Sequence, residues 1–438
     1  MSRRHIPAFL DPSHRRRLPV RVAALAAATA LALTACGRED DAGDDESAAP
    51  SADVADGPAT GTIEVWAMGT EGEELGAFLA DFEAANPDAT VEVTPVPWEG
   101  AHDRIATAIA AGETPDVSLI GTTWMGEFAQ TGGLEPTPTD LFDENDFFPG
   151  PWASTVVDGT SYGVPWYVET RALFYRTDLA EAAGLQPPQT WDDLKAFTQG
   201  LQQAGAQQGI YLQPGQGGSW QTFMPFAWQN GAQLTDGDAY TLDSPEMTEA
   251  LEYYASFYTD GLSQDTVLQP GALEQLFADG AIGSFISGPW HIGLVRDAGA
   301  ADAFAVVPLP GKDEGPGTSF VGGGNLAVFT DSDNKDGAWK LVEYLTEVEV
   351  QQSWYETLTD LPSKPAAWED GPLTEDPLVS VFGEQLESTE APPAVPTWEQ
   401  VAAVIDGDVE AAVRGAMSPA DAVADMQSQA SSIGTGLQ

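Results

Sequence analysis

The side chains that could do chemistry in this chain are mostly aromatic and carboxylic, and the usual catalytic groupings are missing. Gly217-Gly218-Ser219-Trp220-Gln221 lacks the last glycine of a G-x-S-x-G nucleophile elbow. No G-x-x-x-x-G-K-[ST] phosphate loop occurs, and Gly322-Gly323-Gly324 does not follow the dinucleotide spacing. Only His102 and His291 lie beyond Cys36, far apart and without the partners that a zinc site or a general base would need. The run from Asp331 to Gly337 has the look of a calcium loop. However, Lys335 stands at a ligand position, and Leu341 and Val342 stand where the bidentate Glu belongs. Its Ser, Asp and Asn residues read instead as the cap of a helix that starts near Ala338. No metal and no cofactor is expected.

The aromatic residues carry more information. Trp98, Trp124, Trp166, Trp220, Trp290, Trp354 and Trp398 mostly fall near expected strand ends or in turns rich in Gly and Pro. Open α/β sheets bind their ligands at such places. The flat C–H face of a sugar ring lies well on an indole, while its hydroxyls need carboxylates, amides or Arg close by. Glu71 near the first strand end, Glu169 and Arg171 after Trp166, and Asn325 after the triple glycine supply that company.

The elements that must hold these residues read as α/β. Thr62-Ile63-Glu64-Val65-Trp66 alternates as a strand, and a helix follows Gly69 with Leu75, Phe78, Leu79 and Phe82 on one face. Thr90–Thr94 is a second strand and Ala101–Ala111 a second helix, with Ile105 and Ile109 turned inward. Asp116–Ile120 is short and apolar, as a buried parallel strand should be. This β-α-β-α-β order predicts a parallel sheet. The pattern restarts at Gly163-Val164-Pro165-Trp166 and Ala172–Tyr175, with helices at about 191–204 and 244–258. Strands follow at 281–286, 304–308 and 325–329, and the rest is mainly helical. No repeat of fixed period is present.

The N-terminus reads as a leader. Arg3, Arg4, Arg15, Arg16, Arg17 and Arg21 precede an apolar run from Val22 to Leu33, too short to span a bilayer. Leu33-Thr34-Ala35-Cys36 is a lipobox, and Cys36, the only cysteine, is the expected lipidation site. Cleavage before it would leave no thiol pair for a disulfide. Residues 37–60 are acidic, small and polar, and read as a flexible spacer. Six of the 17 basic residues and one of the 68 acidic ones precede Cys36, so 67 acidic against 11 basic residues remain, a formal charge of −56. That field repels nucleic acid and anionic lipid, which makes both poor partners, and favours neutral or cationic ligands. About 380 residues after the spacer are too many for one ordinary core.

From Thr62 to the C-terminus the chain resembles the extracellular sugar-binding proteins of ABC importers, the group that includes maltose and maltodextrin binders. Trp66–Glu71 looks like the family's first strand and ligand loop, and Pro115-Asp116-Val117 opens the third strand. Thr122-Thr123-Trp124 follows it, with Gly132–Pro136 beyond. Gly163–Trp166 through Leu173–Arg176, Phe320–Asn325 and Leu361–Lys364 resemble three crossovers between lobes, and Gly288-Pro289-Trp290 resembles a ligand Trp turn. The resemblance implies Trp290 as stacking platform and Glu169 as acceptor of sugar hydroxyls. It also implies contacts from Thr70, Glu71, Trp98, Thr122, Thr123, Trp124, Trp166, Arg171, Trp220, Gly323, Asn325 and Trp398. Gly126-Glu127 stands where maltose binders place Asp and Arg, so the identity of the sugar stays open.

The expected fold is α/β, a two-lobed periplasmic-binding-protein-like (type II) architecture with a ligand cleft between the lobes. Residues 1–35 would be the signal peptide and 36–60 the lipidated Cys and linker. Lobe one would take 61–166 plus 326–361, and lobe two 170–320 plus 362–438. The expected protein is a lipid-anchored monomer on the outer face of the membrane, not an enzyme, that closes on a sugar and docks on ABC permease subunits. The rival readings are a secreted glycoside hydrolase, which needs two facing carboxylates, and a binder of a non-sugar solute such as a polyamine.

Overall fold

The computed structural model describes residues 54–437 apart from 270 and 314. The leader and Cys36 lie outside the described residues. Among those described, no helix is long and apolar enough to cross a membrane.

The first strand, Gly61–Met68, pairs in parallel with Ala89–Val96 and with Val117–Gly121, as the βαβαβ pattern requires. Val117–Gly121 is buried at every position. The sheet then changes character. Ser319–Val328 joins Val117–Gly121 antiparallel, Val164–Thr170 joins Ser319–Val328 antiparallel, and the short strand Leu361–Pro362 closes that edge. These later strands return to complete a sheet begun by the strands between residues 61 and 121. A second sheet is purely antiparallel, with Ala172–Arg176 between Ser284–Ser287 and Phe304–Val307. Only Arg171 separates Val164–Thr170 from Ala172–Arg176, so one length of chain passes from the first sheet into the second.

Two main apolar cores follow from this layout. One gathers Ile63, Val65, Leu119, Trp166, Leu326, Trp339 and Trp354. The other gathers Trp220, Phe223, Tyr254, Phe257, Trp398, Ile405 and Met426. A third cluster, with Phe148, Val168, Phe174, Val321 and Leu361, lies along the strands that pass between them.

Two local features depart from the sequence expectations, and a third agrees with them. The triple glycine does not lead into a strand but lies inside one, Ser319–Val328, with a register shift between Gly324 and Asn325. The end of the expected spacer is not free. Ala59 is buried, its N–H donates to Asn86 Oδ1 at 2.8 Å, and Ala55 N–H donates to Asp336 Oδ1 at 2.7 Å. The segment 331–337 is a helix cap as expected, with Asn334 Oδ1 accepting from Gly337 N–H at 3.1 Å. Asp116 then fixes that cap to the third strand by accepting from Asn334 N–H and Ser332 Oγ.

Candidate functional site

One group of side chains gathers where the first three parallel strands end. The chain leaves Met68 through Gly69, whose φ of +57° places it in the left-handed region. A Cβ there would stand 2.8 Å from Trp98 Nε1, so glycine allows the indole to lie against the turn. Thr70 is exposed and Glu71 half-buried in the first turn of the helix Gly69–Phe78. Trp98, 40% exposed, meets Trp124 edge-on at 5.7 Å. Trp124 ends the turn Thr122–Trp124, where Thr122 is buried and Thr123 half-buried. The sequence reading set His102 aside as a residue without partners. Its ring packs edge-on against Trp124 at 5.4 Å, and its Nε2 lies 3.0 Å from Glu127 Oε2.

The crossover strand Val164–Thr170 alternates. Trp166, Val168 and Thr170 are buried, whereas Tyr167 and Glu169 are half-exposed. Trp166 is therefore on the opposite face from Glu169. It is 1% exposed and stacks on Trp354 at 4.8 Å, so it belongs to the core and offers no ligand surface. The three glycines make room on the other face. Gly322 pairs with Glu169 and Gly324 with Tyr167. A Cβ on Gly322 would stand 2.9 Å from Glu169 Oε1, and one on Gly323 (φ +125°) would stand 2.2 Å from the Tyr167 carbonyl. Gly323 thus acts through close backbone packing. Asn325 is buried and donates to Ser154 Oγ at 3.1 Å, which makes it a brace behind the sheet and not part of a wall.

Tyr167 links this strand to the first group. Its hydroxyl has a pKa raised well above the ordinary tyrosine value by burial, then by the carboxylates of Glu71, Asp360 and Glu169 around it. Asp360, also missed in sequence, receives Trp354 Nε1–H at 3.0 Å. Burial, then the charge of Glu71, raises its pKa to about 7.

The second group lies where the crossover enters the second sheet. Arg171 is buried. It donates to Glu169 Oε2 at 2.9 Å and to Gln221 Oε1 at 2.7 Å. Its guanidinium carbon sits 4.8 Å from the Trp290 ring centre. Trp290 is 41% exposed, and a Cβ on Gly288 would stand 2.0 Å from its ring, so the glycine lets the indole fold back over the turn. Arg171, Tyr211, Gln213, Gln221, Ser287, Trp290 and His291 are among the residues that line a pocket of about 220 Å³. The loop ahead of Gln221 is held by Asp406, which accepts from Gly218 N–H at 2.7 Å, Ser219 Oγ at 2.8 Å and Trp220 N–H at 2.8 Å.

Trp220 and Trp398 do not reach this wall. Both are buried, edge to face at 5.2 Å, and Trp220 packs on Phe320 at 5.1 Å. Phe320 in turn lies 5.2 Å from the Arg171 guanidinium. The two indoles therefore support Arg171 from behind and have no free face for a ring. A larger hollow, about 720 Å³, lies elsewhere, between 149–153, 228–235 and 389–394, and includes none of the residues singled out in the sequence.

Residues 68–352 match the model of the bacterial extracellular solute-binding protein family. The chain belongs to that family. It is 29% identical over 428 residues to the diacetylchitobiose binding protein DasA of Streptomyces coelicolor, covering 91% of this chain and 94% of the relative. It is 26% identical to a maltotriose-binding protein of Pyrococcus abyssi, over 80% of this chain and 77% of that one. Among solved structures, the sugar-binding protein MalE of Xanthomonas citri superposes with a TM-score of 0.81 at 33% identity, covering 85% of this chain and 97% of that one. The GacH receptor of Streptomyces glaucescens, solved unliganded and with acarbose, gives 0.70 at 25% identity, over 85% and 98%. The fold is the two-lobed binding-protein fold of these neighbours, and the relatives named are binding proteins.

Proposed function

We propose that this member of the family captures a neutral mono- or oligosaccharide between its lobes and hands it, unaltered, to the permease subunits of an ABC importer. One observation carries the sugar class. The Trp290 indole is open on the surface, while the buried Arg171, fixed by Glu169 and Gln221, lies over its ring. An indole held in place beside preset donors and acceptors suits a ring with apolar faces and a hydroxylated rim. Trp98 and Trp124 supply a second aromatic surface beside Glu71, and closure of one lobe on the other would bring a ligand into contact with both sets. The Glu169 carboxylate, tied to Arg171, suits acceptance of hydroxyl hydrogen bonds better than proton transfer. The protein acts as a monomer, held at the outer face of the membrane by lipid on Cys36.

Thermal-shift screening of the chain lacking residues 1–36 against maltose, maltotriose, diacetylchitobiose, other neutral sugars and polyamines tests the reading. A rise in melting temperature with at least one sugar, and none with polyamines, is the expected result. Stabilisation by polyamines alone would overturn the sugar class.

A further inference from the structure

The pocket beside Trp290 contains a hydrogen-bonded chain that neither the sequence motifs nor the family match points to. Ser287 is the last residue of the strand Ser284–Ser287, and His291 lies in the first turn of the helix Trp290–Val295. Ser287 Oγ is 2.7 Å from His291 Nδ1. On its other side the imidazole Nε2 is 3.2 Å from Glu274 Oε1, and both side chains of this pair are largely buried. The other oxygen, Glu274 Oε2, is buried and bonds to no protein group among the described residues, so His291 alone orients this carboxylate. Ser287 and His291 both line the pocket, with Arg171, Gln221 and Trp290.

Proton arithmetic sets the direction of every bond in this chain. A carboxylate oxygen only accepts, so Nε2 carries the hydrogen. Burial, with Arg171 nearby, lowers the His291 pKa, and Glu274 opposes that shift only in part. The ring is then neutral near pH 7.5, and a neutral imidazole with hydrogen on Nε2 has only a lone pair on Nδ1. Ser287 must donate its hydroxyl hydrogen to that lone pair. What the hydroxyl has left for the pocket is its own lone pairs. The remaining neighbours of the ring, Phe174, Phe285 and Trp290, carry no charge that would reverse this polarity.

We infer that Ser287 is a ligand-contacting, specificity-determining acceptor on the Trp290 wall, with His291 and Glu274 as the positioning residues that hold it in the accepting state. The site would select a ligand that presents a hydroxyl or amide N–H at that point. It would discriminate against one that presents an ether, a fluorine or a carbonyl oxygen there. This inference rests on the sugar reading of the same pocket.

The test uses whichever of maltose, maltotriose and diacetylchitobiose binds the wild-type protein most tightly, by titration calorimetry at pH 7.5. Ser287→Ala should weaken binding about three- to tenfold, the usual range for one neutral hydrogen bond, and Ser287→Thr should restore most of it. Glu274→Gln should weaken binding by a similar factor, because its amide can also donate and no longer fixes the ring. The double variant Ser287→Ala/Glu274→Gln should be no weaker than Ser287→Ala alone, which is the mark of one residue acting through the other. Nitrogen NMR of the unliganded protein, with the signal assigned by its loss in His291→Gln, should show His291 with hydrogen on Nε2 and none on Nδ1. A signal from Nδ1–H, or losses that add in the double variant, would overturn the relay. If Trp290→Ala abolishes binding while Ser287→Ala binds as the wild type does, the relay falls and the sugar reading stands. If another neutral sugar of the thermal-shift panel binds where these three do not, the same comparison is made with that sugar, and if no sugar binds the wild type, both fall.

Discussion

Replacing Asp360 by Asn should stabilise the protein at alkaline pH and leave it unchanged at acid pH. Asp360 stands just ahead of the strand Leu361–Pro362, beside Glu71 and below Tyr167. Its carboxyl pKa rises from the ordinary 3.8 to about 7, first because it is buried and then because Glu71 repels a second charge. The folded state therefore holds this proton more tightly than the unfolded chain does. The stability linked to it is fully present below pH 4 and is lost as the pH rises through 7. At about 1.4 kcal/mol per pH unit, ionising Asp360 in place costs up to about 4 kcal/mol above pH 8. Asparagine avoids that cost, and its Oδ1 can still accept from Trp354 Nε1–H, now 3.0 Å from Asp360 Oδ2. With an unfolding entropy of about 2 cal/mol/K per residue, that free energy amounts to a rise in melting temperature on the order of 5 °C. Thermal unfolding followed by circular dichroism at pH 4 and pH 8 measures it for both proteins. An equal shift at the two pH values, or a lower melting temperature at pH 8, would refute the assignment of a buried, charge-repelled carboxyl.

Trp290→Ala should cost about 2 kcal/mol or more of sugar affinity by calorimetry, since it removes a large contact that becomes buried on closure. Its fold should be kept, because the indole is 41% exposed. Glu169→Gln should cost roughly 1.5–3 kcal/mol of affinity, partly because Arg171 loses the carboxylate it meets at 2.9 Å. Cys36→Ala should shift the protein from the membrane fraction to the medium or leave it unprocessed, and full retention with the membrane would overturn the lipobox reading.

The parallel half of the first sheet was legible because its strands are local. Each is joined to the next by one amphipathic helix, so hydrophobic periodicity was enough to find them. The strands Val164–Thr170 and Ser319–Val328 are not local. They are held by pairing partners about 150 residues apart in the chain, and periodicity carries no record of such partners. The site residues divide in the same way. Trp290 and Trp98 were singled out for the turns around them, and they are exposed there. Trp220 and Trp398 lie at or next to turns too, yet they face the second core, because a turn does not fix the direction of a side chain. Trp166 could have been rejected from the sequence. In a strand, residues three apart point to opposite faces, so Trp166 and Glu169 cannot both line one wall. Tyr167, which shares a face with Glu169, was the residue to choose. Gln221 and Glu274 carried no signal, because their partners Arg171 and His291 lie on other elements, and His291 was set aside for want of partners although Ser287 stands only four residues before it. Asp406 gave none either, since its grip on the loop Gly218–Trp220 spans 186 residues or more.

The charges around the site bear on the choice between a sugar and a polyamine. The whole chain is strongly acidic, and a cation would be drawn to it from solution. A polyamine held inside the site would need carboxylates free to pair with its ammonium groups, since buried charges are stable only when paired. Three carboxylates lie around Tyr167. Glu169 already faces the buried Arg171 at 2.9 Å. Asp360, with its pKa at about 7, holds a proton for about half of the time at neutral pH. Of the three, Glu71 is the one left to pair with an ammonium group, and the buried Arg171, lying over the Trp290 ring, repels a second cation from the surface where one would stack. A neutral ring meets none of these penalties, and its hydroxyls can use Glu169, Gln221 and Arg171 as they already stand. The long-range field of the protein favours cations, but the groups inside the site favour a neutral ligand. At contact distance in a dehydrated site, the local pairing decides, because screening removes the distant charges and strengthens nothing beyond about 8 Å.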